Sequence, residues 1–207
     1  MEVRFDREKH VFHFDAFDEI MLDIIRFFNG TPVHLLPPPE SFSGAGVYAL
    51  YYTGGSPYYE YLRKTNRVGF VQPIYIGKAV PSGWRKARTK TTANELYSRL
   101  SDHYGSIEQV GNLDVRDFSC RFMIFEHTTV DMIGMVEAAL IRQFNPIWNS
   151  SIDGFGNHDP GSGRYGQAKS DWDVLHPGRK WAERLTGKPS TLADVERKAI
   201  LYYETVE

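Results

Sequence analysis

The order in which apolar periodicities change along the chain is the feature that most constrains its fold. Residues 14–28 place apolar side chains at helical spacing, whereas 47–52 and 73–76 are rich in Tyr, Val and Ile, which is typical of strands. Apolar and polar residues alternate over 118–124, and helical spacing returns over 131–144. Because short strand-like segments alternate with helical ones, we predict an α+β domain with an antiparallel start.

Weaker signals fill the remaining segments of the predicted fold. A helix is predicted over Asn94–His103, with Thr92 as its cap, and Pro32–Glu40 reads as an extended connector because it is rich in proline. Residues 154–166 form a Gly-rich loop, followed by short helices near 171–185 and 191–203. The tail is therefore expected to be irregular before it becomes helical.

Composition excludes several classes of protein. The 207 residues are 42% hydrophobic, so the chain can bury a core, and its net charge of −2 gives no overall attraction to DNA or anionic lipid. One cysteine, Cys120, excludes an internal disulfide framework and a thiolate zinc cluster. No stretch resembles a signal peptide or approaches the ~18 apolar residues of a membrane span. We expect a soluble cytoplasmic protein without a membrane partner.

Two tyrosine motifs lie on the two adjacent predicted strands. They are Gly46-Val47-Tyr48 and Tyr75-Ile76-Gly77-Lys78. Either motif alone is ordinary strand sequence, and a half-buried aromatic residue would explain each Tyr separately. The pair gains significance from the polar residues that follow it.

Those polar residues lie on the predicted helices and just beyond them. Arg99 and His103 are four residues apart, so both side chains project from one helix face. Glu137 lies among apolar neighbours at Ile133, Leu140 and Ile141, where a carboxylate is costly unless it is paired or binds a cation, and this favours a metal ligand. Asn149, just beyond the last of these helices, can brace such a site with its amide.

In order and in type of element, this set resembles the motifs of the GIY-YIG nuclease superfamily. Its members here are Tyr48, Tyr75, Arg99, His103, Glu137 and Asn149. Lys78 also fits the pattern, and Val47 conservatively replaces an Ile. The resemblance covers residues 44–150 and implies a small central antiparallel or mixed three-stranded sheet flanked by helices.

Segments outside this core resemble those of type II restriction enzymes of the superfamily, which cut the palindrome 5′-CCGCGG-3′. The restriction subgroup is therefore favoured over repair or homing endonucleases, which stay the alternative. The chain is expected to form one domain, with an N-terminal helix and Pro-rich connector (1–43), a catalytic core (44–150) and a DNA-contacting extension (151–207). The resembling segments are residues 30–34, 37–40, 153–157 and 170–173.

The resemblance implies the reaction and its cofactor. It points to an endodeoxyribonuclease of the bacterial cytoplasm that hydrolyses phosphodiester bonds in both strands of double-stranded DNA. One Mg²⁺ per active site, replaceable by Mn²⁺, is expected on Glu137. Cutting both strands of a palindrome with one site per chain suggests a homodimer.

Residue roles also follow from the resemblance. Tyr48 is the expected general base, with Lys78, Arg99 and the metal supplying positive charge that favours its ionisation. Arg99 also clamps the scissile phosphate, because a guanidinium matches phosphate oxygens. His103 hydrogen-bonds Tyr48 or relays its proton, and Tyr75 positions the phosphate or a water.

Local clusters of basic residues supply the DNA contacts that the net charge does not. The cluster at 85–90, directly after the second tyrosine strand, is expected to contact phosphates, whereas base reading is expected from the insertion between the tyrosine strands and from the tail. A looser basic set in the tail also includes Arg179 and Lys180. The candidate DNA-binding residues are Arg63, Lys64, Arg67, Arg85, Lys86, Arg88, Lys90, Arg164 and Lys169.

Other readings explain less of the sequence. Glu196-Arg197-Lys198 matches half of another restriction-enzyme motif, and Asn157-His158 faintly suggests a His-Asn-His nuclease, but neither accounts for the tyrosine pair. A DNA-binding module without catalysis leaves the complete polar set unexplained. An ordinary hydrolase is disfavoured because the sequence has no nucleophile elbow or phosphate loop.

Overall fold

The structure is a computed structural model that describes residues 5–84 and 93–206. Within these ranges the chain forms a four-stranded sheet covered by helices on both faces. The strands are β1 (Val33–Leu35), β2 (Ala45–Tyr52), β3 (Tyr75–Ala79) and β4 (Phe118–Phe125). The α-helices are α1 (Phe17–Gly30), α2 (Glu60–Asn66), α3 (Glu95–Glu108), α4 (Ile133–Phe144), α5 (Ile147–Ser150), α6 (Asp171–Leu175) and α7 (Leu192–Val206).

The sheet confirms the predicted α+β class, but it has four strands instead of three. Its order is β1-β4-β2-β3, and every neighbouring pair is antiparallel. The additional strand, β1, lies inside the segment predicted as an extended connector. Three residues are too few to show alternation in a sequence, and β1 is stabilised by pairing with β4, where Leu35 lies opposite Ser119.

Several predicted boundaries shift by a few residues. The second tyrosine strand begins at Tyr75 and not at Pro73, because proline has no backbone N–H to donate to a ladder. Helix α3 continues to Glu108, and α4 begins at Ile133 after a 3-10 helix over His127–Met132. The proposed cap Thr92 lies outside the described residues.

The tail also differs from its predicted helices. The helix expected near 171–185 ends at Leu175, because Pro177 cannot continue it, and a 3-10 turn, Ala182–Arg184, follows. The final helix, α7, was predicted over 191–203 and runs over Leu192–Val206.

The segment between the tyrosine strands contains α2, which was not predicted. Asn66 lies at the end of α2, and its side chain hydrogen-bonds to both ends of the segment that joins β2 to β3. Its amide nitrogen donates to the carbonyls of Tyr52 (3.1 Å) and Gln72 (2.9 Å), while its oxygen accepts from the N–H groups of Val71 (3.1 Å) and Gln72 (2.9 Å). A buried asparagine with all of these bonds satisfied fixes the return of the chain into β3.

Strand β2 is buried along its whole length because helices cover both faces of the sheet. Tyr48, Leu50 and Tyr52 face the core that contains α3, and the alternate residues face the core that contains α4. Trp172 and Val195 from the tail pack into the same core as Tyr48, so the tail is part of one packed body with the sheet. Among the described residues, no helix has the length and apolar character needed to cross a membrane.

Candidate active site

The two motif tyrosines meet on one face of the sheet. Tyr48 pairs with Gly77 across β2 and β3, and Tyr75 lies two residues before Gly77 on the same face. The ring centroids of Tyr48 and Tyr75 are 6.2 Å apart. A Cβ on Gly77 would lie 2.6 Å from Cζ of Tyr48 and 3.0 Å from Cε1 of Tyr75. Glycine is therefore required in the second motif to make room for the Tyr48 phenol.

His103 and Tyr48 form a buried hydrogen-bonded pair. The Tyr48 hydroxyl lies 2.5 Å from Nε2 of His103, which projects from α3. Burial raises the pKa of Tyr48 well above its ordinary value of 10.0; Tyr75 adds to the effect and Arg99 opposes it. Burial, with Arg99 as the next contribution, lowers the pKa of His103 well below 6.5. Both groups are consequently neutral at neutral pH.

Arg99 lies one helical turn before His103 and is fixed at both ends of its guanidinium. Nη2 donates to the carbonyl of Gly156 at 2.8 Å, and Nη1 donates to Nε2 of His158. Arg99 lowers the pKa of Tyr75, although burial outweighs it and the net shift is upward. Arg99 is thus a cation that acts to lower the pKa of both tyrosines.

Residues 154–158, which we call the strap, cover this face of the site. The Phe155 ring stacks on His103 with centroids 4.5 Å apart and an interplanar angle of 18°. It also contacts Tyr75 edge-on at 5.0 Å. A Cβ on Gly156 would lie 2.5 Å from the Tyr75 hydroxyl, so glycine allows the strap backbone to approach Tyr75 closely.

Arg179 holds the strap in place. It was predicted to belong to a loose basic set in the tail, but its side chain is fully buried and serves the structure. It donates twice to Asp173, at 2.7 Å each, and lies between the rings of Trp172 and Trp181. A buried cation is stable only with such compensation. Its other hydrogen bonds go to the carbonyls of Gly154 (2.9 Å), Phe155 (2.9 Å) and Asn157 (3.3 Å).

Lys78 and Glu137 form an ion pair at the edge of the sheet. Lys78 Nζ lies 2.5 Å from Oε2 of Glu137, which projects from α4, and the side chains are 36% and 18% exposed. The pairing accounts for a carboxylate beside apolar neighbours. No group of three metal-ligating side chains occurs within residues 5–84 and 93–206. One partly exposed carboxylate fits Mg²⁺, which binds hard oxygen and keeps several waters.

Asn149 braces β3 from outside the sheet. Its Oδ1 accepts from the N–H of Ile76 and its Nδ2 donates to the carbonyl of the same residue, both at 2.8 Å. The side-chain amide thereby replaces a neighbouring strand at the edge of the sheet. The Asn149 amide thus braces strand β3, and its part in the active site stays a prediction.

An open cleft of about 570 Å³ lies beside Arg99. A second cleft of about 260 Å³ adjoins it, and His158 lines both. Arg164 and Gln167 line the second cleft, which places polar side chains of the tail next to the candidate active site. The first cleft is lined by Lys78, Ala79, Val80, Ala93, Asn94, Glu95, Ser98, Arg99, Asp102 and His158.

The other predicted DNA-binding residues lie away from this cleft or outside the described residues. Arg63 and Lys64 both pair with Glu60, and Arg63 and Arg67 line a separate cleft that shares no residue with the first. Lys169 is paired with Glu183 at 2.7 Å. Arg85, Lys86, Arg88 and Lys90 lie outside the described residues.

Sequence reasoning missed the contributions of Phe155, His158 and Arg179. His158 entered only through a rival motif, and Arg179 was grouped with surface cations. The available signal was the pair of glycines around Phe155, since glycines that flank an aromatic residue permit close backbone packing.

Comparison with known proteins supports the assignment. The family described as "Eco29kI GIY-YIG domain" matches residues 40–203, which is most of the chain. No curated protein sequence matches it significantly. The matched region contains the whole candidate site: the Tyr48–His103 pair, Arg99 and the Lys78–Glu137 pair, of which Arg99 and Lys78 line the cleft. The chain belongs to the Eco29kI GIY-YIG domain family and is a GIY-YIG restriction endonuclease.

Proposed function

We propose that the protein hydrolyses phosphodiester bonds in both strands of double-stranded DNA at 5′-CCGCGG-3′, that the reaction requires Mg²⁺, and that the active form is a homodimer. The observation that carries this proposal is the buried, neutral Tyr48–His103 pair next to the Arg99 guanidinium at an open cleft. This arrangement combines a route for a proton with a binding group for a phosphate.

Arg99 binds the scissile phosphate in this proposal. Its guanidinium is fixed by the strap and lines the cleft, so its orientation is set before DNA arrives. A positioned guanidinium stabilises the charge that develops on phosphate oxygens in the transition state. Lys78, also at the cleft, adds a second positive charge.

Tyr48 accepts the proton of the attacking water while it passes its own proton to His103. The raised pKa of Tyr48 disfavours a standing phenolate, so proton transfer through the phenol to neutral His103 fits better than attack assisted by a preformed anion. The water oxygen then bonds to phosphorus as the bond to the leaving oxygen breaks. The negative charge of bound phosphate raises the pKa of His103 and favours the transfer.

Access of water to Tyr48 requires a small movement. Tyr48 is 0% exposed, whereas the neighbouring Tyr75 is partly exposed. We propose that the Tyr75 ring moves and so lets water reach the Tyr48 hydroxyl. Tyr75 then positions the water or phosphate that replaces it.

Glu137 is the residue that would hold Mg²⁺, or Mn²⁺ in its place. The ion, when bound, neutralises phosphate charge and acts as a Lewis acid. Lys78 Nζ already bonds one oxygen of Glu137, so the ammonium and a divalent cation compete for that carboxylate. A cation that binds Glu137 would therefore release Lys78, and the released ammonium could contact phosphate.

A plasmid cleavage assay tests the proposal. A supercoiled plasmid with one CCGCGG site should become linear in Mg²⁺ and stay intact in EDTA, and a plasmid lacking the site should stay intact in both. Sequencing of the ends gives the cut positions. Nicked circles as the final product would contradict both-strand cleavage. Sedimentation of the protein with a duplex carrying the site should show two chains per duplex.

A further inference from the structure

His158 has no role in the mechanism above, yet it touches the phosphate-binding arginine. It lies in the strap, is exposed, and borders both clefts. Its Nε2 accepts a hydrogen bond from Nη1 of Arg99, whereas Nη2 of the same guanidinium is held by the carbonyl of Gly156. Two strap acceptors thus hold two different nitrogens of one guanidinium.

We propose that His158 is a positioning residue that fixes the orientation of Arg99 through the acceptor nitrogen Nε2 of a neutral imidazole. The inference rests on the proposed function, in which Arg99 binds the scissile phosphate. The Gly156 carbonyl holds only Nη2, and Nε2 of His158 is the strap acceptor that holds Nη1, so the strap fixes the plane of the guanidinium only when both acceptors are present. Orientation matters most in the transition state, so His158 acts on kcat more than on DNA affinity.

The proposed hydrogen bond depends on the protonation state of His158. Only a neutral ring with its proton on Nδ1 accepts at Nε2, because a protonated imidazole has no acceptor. Burial and then Arg99 lower the pKa of His158 below 6.5; Asp102 opposes this and Arg179 adds to it. Glu95 and Asp173 are the other carboxylates that line the two clefts. The bond is therefore present above this lowered pKa and lost as pH falls through it.

Substitutions that differ only in reach test the acceptor role. In His158→Gln the amide oxygen takes approximately the place of Nε2, whereas in His158→Asn the same amide is one carbon too short. His158→Gln should keep kcat within about 3-fold of wild type, while His158→Asn and His158→Ala should lower it by roughly 10-fold or more with little change in KM. Because the side chain is exposed, all three variants should keep the wild-type Tm.

A pH profile and a spectroscopic measurement complete the test. The acid limb of kcat should lie at lower pH in His158→Gln than in wild type, since an amide does not titrate. In DNA-free protein, ¹H–¹⁵N spectra should show the His158 proton on Nδ1, and its pKa should rise in Arg99→Ala. Equal kcat in the Gln, Asn and Ala variants, or a proton on Nε2, would overturn the inference. If the wild-type protein does not cleave DNA, the proposed function is wrong. The spectra still test the His158–Arg99 hydrogen bond in that case, because they need no cleavage.

Discussion

The polar side chains of the site form two groups on either side of strand β3. Tyr48, His103 and Arg99 lie on the face covered by α3, whereas Lys78 and Glu137 meet beside α4. In the proposed mechanism the first group handles the proton and the phosphate, and the second offers the carboxylate for a cation. Single substitutions should therefore separate proton transfer from cation binding.

Tyr48→Phe tests proton transfer. The change keeps the buried ring but removes the phenolic oxygen, so kcat should fall by about 10²-fold or more, the range of general-base contributions. It also leaves Nε2 of buried His103 without its partner, which should cost about 1–3 kcal/mol of unfolding free energy. Single-turnover cleavage and thermal unfolding measure the two effects. Near-native turnover would make His103 the group that accepts the proton from water.

Glu137→Gln tests cation binding. The amide keeps the shape but loses the charge, so Mg²⁺-dependent cleavage should be abolished, while binding to the cognate duplex in Ca²⁺ or EDTA stays largely intact. Glu19→Gln, an exposed residue on α1, is the matched control and should cleave normally. Strong residual cleavage in Mg²⁺ by Glu137→Gln would disprove the metal assignment.

At the scale of elements, the antiparallel pair β2–β3 creates the site by apposing a tyrosine and a glycine. Gly77→Ala should displace the Tyr48 phenol from His103, because the new methyl group lands on the ring. We expect a loss of activity at least as large as that of Tyr48→Phe, with a lower Tm. Gly105→Ala is the control: its position in α3 is open, so the change should raise helix stability by about 1 kcal/mol and leave cleavage unchanged.

The sequence predicted the elements that carry long periodic patterns and missed those defined by tertiary contacts. Strands β2 and β4 and helix α4 were found because each has a buried face several residues long. Strand β1 has three residues and depends on pairing with β4. Helix α2 is a short helix of seven residues fixed by the buried Asn66, and no local pattern reveals such a contact.

The residues of the candidate site also divide into those that the sequence predicted and those that it missed. Its motif residues were predicted because their types and their order on the predicted strands and helices resemble the GIY-YIG motif set. The strap contacts and the role of Arg179 were missed because they join residues that periodicity does not relate, and the two glycines around Phe155 indicate close packing without indicating its partner. An arginine in a polar tail reads as a surface cation unless its partner Asp173 and the two tryptophans beside it are known.

At the scale of the whole molecule, recognition should concentrate on the tail beside the active cleft. Arg164 lines a cleft that shares His158 with the active one, whereas Arg67 lines a separate cleft. Arg164→Ala should therefore cost about 1–3 kcal/mol at the cognate site and relax discrimination, because arginine reads guanine O6 and N7.

Lys86→Ala, in the basic cluster, should instead weaken binding to all sequences alike and reduce the salt dependence. Titrations of Arg164→Ala, Arg67→Ala and Lys86→Ala on cognate and single-mismatch duplexes at two salt concentrations distinguish these effects. Equal losses for every sequence in Arg164→Ala would place base reading elsewhere.

The burial of Arg179 has a consequence for how such an enzyme acquires a new target. The tail that lines the cleft beside Arg164 also carries the strap, and Arg179 ties that strap to the core through Asp173 and Trp172. Exchanging the tail for that of a relative would therefore disturb Arg99 and His103 together with the target preference. New specificities should be reached by single changes at exposed positions such as Arg164 and Gln167, and grafted tails should yield inactive hybrids.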